Sequence, residues 1–365
     1  MTHKGEELVG LHAEDYQCGS GTKHELAILK LESKGFTGMG RHDRAPLPFH
    51  LPFDWNGTDP DDRNWMFQLH AWRMLDLYLH LMLKEGRESA SFKHRIAVVA
   101  DWICDNVLGK FGTFTWYDMS TGIRASKLAL LARTVPALDF DLSSIPGFDR
   151  MLAEHFSHLM NPKELNLGNH GLFQMQGLKS LASAFSDHSE SGEAEKYAVL
   201  NMTKIIKMQM GEHGVHTEHS PDYHFFACRR ISLILDWQVQ ETKFARQLIF
   251  KSEDVKPWLV DVTDRIVPIG DGSQGIVRSA QLPSLKKWQH QAETDYLGAI
   301  LDGDGVVRSR PDLPVEKSSF LFLSASYHSN AHKHHDCLSF VWQEGGAEIL
   351  IDPGKYGYCY NKLGI

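Results

Sequence analysis

The apolar residues of this chain change period once, near residue 265, and that change limits what the chain can fold into. From Asp61 to about residue 262 they recur at three- and four-residue steps, the spacing of helices that each bury one face. In DDRNWMFQLHAWRMLDLYLHLMLKEG, Trp65, Leu69, Trp72, Leu75, Leu79 and Leu83 predict one long helix with Asp61 or Asp62 as its cap. Similar faces follow at Ile96, Val99, Ile103 and Val107, at Leu128 and Leu131 beyond a Ser120/Thr121 cap signal, and at Met151, Leu152, His155, Phe156 and Leu159. Others lie in residues 172–185, 197–210, 223–237 and 255–262. About eight helices without intervening strands imply antiparallel helix pairs in a bundle, solenoid or toroid. After Pro268 the texture becomes short β-favouring runs punctuated by glycine and proline: YLGAILDGDGVVRS, SSFLFLSASYH and CLSFVWQEGGAEILIDPG. The last reads as a hairpin turning at Glu344, Gly345 and Gly346. Residues 1–60 are expected to form an extended arm, 61–265 the helical domain and 266–365 an antiparallel β domain. That last stretch holds too few strands for a complete sandwich, so further strands are expected beyond Ile365.

Charge and cysteine usage exclude several functions. A net charge of −8 with no long basic cluster is unsuited to general nucleic-acid binding, which needs a basic surface. The five cysteines are scattered with no CxxC, so they predict buried thiols rather than a disulfide framework or a cysteine zinc module. No stretch approaches a membrane span, and MTHKGEELVGLHAED is not a secretory signal. As written the chain is expected to be cytoplasmic, and periplasmic or secreted if its true start precedes Met1.

Three stretches carry titratable groups in unusual density. In NLGNHGLF, Asn169 and His170 precede the apolar face of a helix between Gly168 and Gly171; Asn169 either meets a ligand or caps that helix. In GEHGVHTEHSPDYHFF, Ser220-Pro221 is a helix start signal that puts Tyr223 in the first turn. His213, His216, Glu218, His219, Asp222 and His224 surround it, a density unusual for pure packing. In HSNAHKHHDCLSF, an extended backbone would project His332, His334 and Asp336 from one face. Such a face binds a divalent metal or supplies a general base, and Asp352 on the returning strand offers an oxygen ligand.

Together with FDWN, RNWMFQLHAWR, WYDMSTGIR and IDPGKYGY, these stretches resemble the heparinase II/III superfamily of polysaccharide lyases, including its alginate and oligouronide lyases. Their order and the 54 residues between Asn169 and Tyr223 match that family, and the resemblance runs over most of the chain. It implies an N-terminal α/α toroid, an incomplete barrel of helix pairs, followed by an antiparallel β-sandwich. It also implies an acidic polysaccharide or oligosaccharide as substrate, with neither nucleic acid nor membrane as partner. Asn169 and His170 would neutralise a uronate carboxylate, Tyr223 would act as base or acid, and His332 would be its partner. Trp116, Tyr117, Arg124 and Glu218 would contribute to substrate binding. His334 and Asp352 match one structural zinc site whose remaining histidine would lie beyond residue 365.

Lytic cleavage removes the C5 proton of a uronic acid and expels the C4 oxygen. It therefore needs donors to take up charge spreading onto the carboxyl group, and a base and an acid at the two atoms. Two other functions fit parts of the pattern. A glycoside hydrolase would use Glu218, Asp222 and Asp118 as opposed carboxylates. A non-catalytic carbohydrate-binding protein would stack sugars on Trp65, Trp72, Trp116 and Tyr117.

Overall fold

The computed structural model describes residues 22–38, 41, 43–48, 50–57, 59–79, 91–134, 140–235, 242–272, 275–277, 296–325, 328 and 338–355. Two compact units are distinguished, Met1–Met202 with Tyr358–Ile365, and Thr203–Gly357. Helices come first in the chain and an antiparallel sheet last, the order expected from the change of period. Among the described residues no helix is long and apolar enough to cross a membrane.

The first unit holds α1 (Thr22–Lys34), α2 (Arg63–His70), α3 (Ser91–Ile103), α4 (Asp118–Thr134), α5 (Phe148–Met160) and α6 (Asn169–Ala184). The division falls within α7 (Ser191–Gln209). Asp62 is the cap of α2, accepting from the Trp65 amide at 2.9 Å. The long helix expected to follow is broken after His70: Trp72 adopts a left-handed φ of 53° and a 3₁₀ turn runs over Arg73–Leu75.

The break has a cause in α4. A helix end leaves carbonyls without partners, and here two cations one turn apart supply them. Arg124 donates to the His70 carbonyl at 2.7 Å, and Lys127 to those of Ala71 and Trp72 at 2.7 and 2.8 Å. Lys127 also pairs with Asp76. Both side chains are fully buried, which is tolerable because their donors find acceptors. The break is invisible in the apolar spacing because Trp65 and Leu69 before it and Trp72, Leu75 and Leu79 after it are all buried.

Helices α4 and α6 form the centre of this unit. Ser120 to Leu131 of α4 and Gly171 to Ala182 of α6 are all buried. Their backbones touch through a glycine pair: a Cβ on Gly122 would come within 2.6 Å of Gln174 Cα, and one on Gly177 within 2.8 Å of Gly122 Cα. This approach brings the start of α4 beside the start of α6. Helix α4 begins at Asp118 rather than after Ser120 and Thr121, whose hydroxyls instead donate back to the Tyr117 carbonyl.

The second unit holds α8 (Pro221–Leu235), α9 (Thr242–Val255) and one antiparallel sheet ordered β1 (Tyr296–Leu301), β2 (Asp304–Ser309), β3 (Ser319–Leu323), β4 (Phe340–Glu344) and β5 (Ala347–Leu350). Inward-facing Ala299, Leu301, Val306, Phe320, Phe322 and Val341 pack on Val215, Val255, Trp258, Leu259, Val267 and Ile269. Two polar side chains on that face are anchored: Arg308 donates to the Pro257 and Val260 carbonyls, and Gln343 to Asp261 at 2.6 Å. The other face exposes Ile300, Val307, Leu321, Phe340 and Trp342, so the sheet is apolar on both sides, as in sheets covered twice. The glycine hairpin turns as expected, with positive φ at Gly345 and Gly346. Of the cysteines expected to be buried, Cys228 is, with its thiol pushed up to about 12 by burial, whereas Cys104 is exposed.

Candidate active site

The residues expected to do chemistry fall in both units, and each group stands on its own contacts. In the first unit, Asn169 lies inside the first turn of α6, with Gly168 at the cap position, so the capping use of Asn169 is ruled out. Asn169 is buried and His170 half-exposed. The loop before them is held from its own helix: Gln174 accepts from the Asn166 amide at 2.9 Å, and Asn166 from the Gly168 amide at 2.7 Å.

His170 Nδ1 lies 2.9 Å from Asp118 Oδ2. An ionised carboxylate only accepts, so Nδ1 carries the proton and Nε2 is the nitrogen presented to a ligand. Burial alone would raise the Asp118 pKa, but the hydrogen bond and charge of His170, the Met119 amide and Asn166 hold it below the usual carboxylate range. The result is a lasting negative charge behind a half-exposed imidazole.

Trp116 and Tyr117 lie just before α4 and are half-buried. Trp116 stacks on His158 with ring centroids 4.6 Å apart and planes 9° from parallel. The Tyr117 hydroxyl accepts from Arg63 at 2.9 Å. Arg124 lies beneath, fully buried, with its guanidinium 4.1 Å from the Trp102 ring centre and 5.2 Å from that of Trp116. Its Nε donates to His155 Nε2 at 3.0 Å, so it supports the Trp116 platform from the interior. Trp65 and Trp72 are core residues, 1% and 0% exposed; a sugar-stacking surface made from them is corrected to a packing role.

In the second unit α8 starts at Pro221, as the Ser220-Pro221 signal predicts, and Tyr223 sits half-buried in its first turn. Much of the histidine density around it proves to be fastening. His224 donates from Nε2 to the Ser252 carbonyl at 3.0 Å and accepts the His216 amide on Nδ1 at 3.2 Å. Burial lowers its pKa to about 4, so it stays neutral. His216 is fully buried, 3.9 Å from the buried carboxylate of Glu218.

Two further functional candidates escaped the sequence reading because D-G-D between β runs looks like nothing more than a turn. Asp302 and Gly303 form that turn, both with positive φ, and the two aspartates reach back to the loop before α8. Asp302 accepts from the His213 and Val215 amides at 3.0 and 3.1 Å and lies 2.9 Å from His213 Nδ1. Asp304 Oδ2 lies 3.9 Å from His219 Nδ1, and both side chains are nearly fully buried. His219, whose φ is 54°, meets His328 at 2.9 Å.

His332, His334 and Asp336 lie outside the described residues. Asp352 is buried and accepts from Ser339 and from the Gly354 amide, both at 2.8 Å. Among the described residues no group of three or more His, Cys, Asp or Glu side chains is arranged to hold a metal ion.

Comparison with known proteins places this geometry in a family. The heparinase II/III N-terminus family matches residues 38–249, more than half of the chain. A search of curated proteins finds no match. Among solved structures, heparinase III is similar with a TM-score of 0.64 at 15% identity, over 94% of this chain and 62% of that one. A heparan sulfate lyase HepC mutant from Pedobacter heparinus is similar with a TM-score of 0.62 at 16% identity, over 95% of this chain and 58% of that one. The helical-then-sheet order is shared, and this chain spans about three fifths of those proteins' lengths.

Proposed function

Because the chain belongs to the heparinase II/III family, we propose that it is a polysaccharide lyase that cleaves a uronic-acid-containing glycan by β-elimination. The observation that carries this reading is the Asp118–His170 pair at the start of α6, beside Asn169. Elimination begins with a carboxylate that must accept more charge. Asn169 and a protonated His170 are the donors for it, and the ionised Asp118 supplies the countercharge that an imidazolium requires.

Tyr223 acts on the sugar as base or acid, with His332 as its partner. When proton and leaving oxygen lie on one face of the ring, Tyr223 can serve both; when they lie on opposite faces, a histidine takes the proton. Tyr223 is favoured modestly as a phenolate by its place at the positive end of α8. Trp116 and Tyr117 stack a sugar ring, Arg124 holds Trp116 from beneath, and Glu218 accepts from a hydroxyl. A structural zinc would take His334 and Asp352, testable by metal analysis of the purified protein against His334→Ala. The sandwich of the family would place a second sheet on the apolar outer face of β1–β4.

Elimination leaves an absorbing C4=C5 double bond, hydrolysis only a new reducing end, and binding neither. Ultraviolet absorbance should therefore rise with time when the chain meets one of heparan sulfate, hyaluronan, alginate or a bacterial capsular uronan, and stay flat in Tyr223→Phe with folding intact. New reducing ends without absorbance would replace lysis by hydrolysis.

A further inference from the structure

The Asp118–His170 pair has a counterpart in the same unit that the proposed chemistry leaves unused. His158, in the last turn of α5, lies with Nδ1 2.7 Å from Glu164 Oε2. An ionised carboxylate only accepts, so Nδ1 carries the proton. Glu164 is held at two points: Asn161 donates to its other carboxylate oxygen at 3.0 Å, and its backbone carbonyl accepts from Gln174 at 2.9 Å. His158 Nε2 has no partner among the described residues and is open to solvent, in a side chain 30% exposed. One face of the ring packs on Trp116, with centroids 4.6 Å apart. The carboxylate supplies the countercharge, and the indole the cation–π contact, that an imidazolium uses; in that state Nε2–H is a charged donor facing solvent.

The two pairs are tied together. His158 stacks on Trp116 and His170 meets Asp118, so the residues that seat the two imidazoles are two positions apart, with Cα atoms at most about 7 Å from each other. Gln174, buried one turn after His170 in α6, donates to the Glu164 carbonyl and accepts the Asn166 amide, while Asn166 reaches Asp118 at 3.4 Å. Two carboxylate-backed imidazoles thus flank Trp116 and Tyr117, at a separation on the scale of neighbouring sugars. We propose that His158 is a specificity residue that grips a second acidic group, a sulfate or carboxylate, on the sugar next to the uronate held by Asn169 and His170. The proposal rests on the lyase reading and deepens it: the substrate class becomes a glycan with acidic groups on adjacent sugars. A glycan whose sugars alternate acidic and neutral would leave this imidazole without an anion to meet.

The test uses the full chain on glycans that differ at the neighbouring sugar: N-sulfated heparan and alginate carry an acidic group there, N-acetylated heparosan and hyaluronan a neutral one. The wild type should cleave at least one of the first two. On that substrate His158→Ala should raise KM about tenfold, as for one lost charge-assisted hydrogen bond, with kcat within about twofold. His158→Gln, of similar size but without charge, should match it, and His158→Arg, which keeps a flat cation for Trp116, should recover most of the loss. A loss on N-sulfated heparan alone assigns the site to sulfate, and a loss on alginate assigns it to carboxylate. A KM for His158→Ala within about twofold of wild type overturns the proposal, and so does a wild type that cleaves only N-acetylated heparosan or hyaluronan. Equal losses in His158→Arg and His158→Ala would make the effect one of packing and overturn it too. A wild type that forms no unsaturated product from any of the four overturns the lyase reading. Nitrogen-15 imidazole spectra then decide the contact separately: oligosaccharides of N-sulfated heparan or alginate should shift the His158 Nε2 resonance, and no shift with either overturns the proposal.

Discussion

Lowering the pH should weaken the fold through His224 by an amount the structure sets. His224 is fully buried, donating to the Ser252 carbonyl and accepting the His216 amide, so its imidazole fits only when neutral. Burial lowers its pKa to about 4 in the folded chain, against about 6.5 when unfolded. Between those values the unfolded chain binds the proton and the folded chain does not. Stability from this group is therefore complete above about pH 6.5 and is lost as pH falls towards 4. Linkage gives a loss of roughly 2 kcal/mol on going from pH 7.5 to 5, and about 3 kcal/mol by pH 4. Urea unfolding followed by tryptophan fluorescence at pH 7.5 and pH 5 measures it, with His224→Asn as the comparison. Asparagine cannot titrate, so the variant should be weaker at pH 7.5 yet lose about 2 kcal/mol less than wild type between the two pH values. Equal losses in both would refute the assignment, because the histidine would then not be the group that resists protonation.

Three other perturbations test the frame that holds the site. Lys127→Met leaves two helix-end carbonyls without their donor and Asp76 with Arg73 as its remaining cation, and should cost about 3 kcal/mol in urea unfolding, as for buried acceptors left unpaired. Gly177→Ala drives a Cβ into the Gly122 backbone; it should destabilise by about 1–3 kcal/mol and shift the His170 imidazole resonances as Asp118 moves away. Asp302→Ala removes the acceptor of the His213 and Val215 amides, so hydrogen exchange at those two amides should speed up while that of β3 stays unchanged.

Period and turn chemistry made most of the architecture legible. Ser220-Pro221 marked the start of α8, Gly345-Gly346 marked the last hairpin, and alternating runs marked the strands, because each signal is local to the residues that form the element. The break after His70 was hidden because its cause lies in Arg124 and Lys127, more than fifty positions away, while the apolar spacing on both sides stays intact. Helices α4 and α6 likewise gave weak amphipathic signals, since a helix buried all round has no polar face to show.

The site was legible in part for the same reason. Asn169, His170 and Tyr223 stand at helix starts that the sequence marks. The partner of His170 could not be foreseen: Asp118 reaches it only because Gly122 and Gly177 let two backbones touch. Asp302 lies in the turn between β1 and β2 and Asp304 opens β2, and nothing in D-G-D says that both carboxylates point back at residues 213–219. Histidines that looked like excess chemistry, His216 and His224, are internal fasteners, a use that only their partners reveal.

The central claim, cleavage by elimination, is tested most directly by running the reaction in oxygen-18 water and weighing the products. Elimination breaks the C4–O bond without adding water, so the new non-reducing ends should be unsaturated and neither product should carry solvent oxygen at the cleaved bond. One heavy oxygen incorporated per bond broken, with saturated ends, would mean hydrolysis and would contradict it.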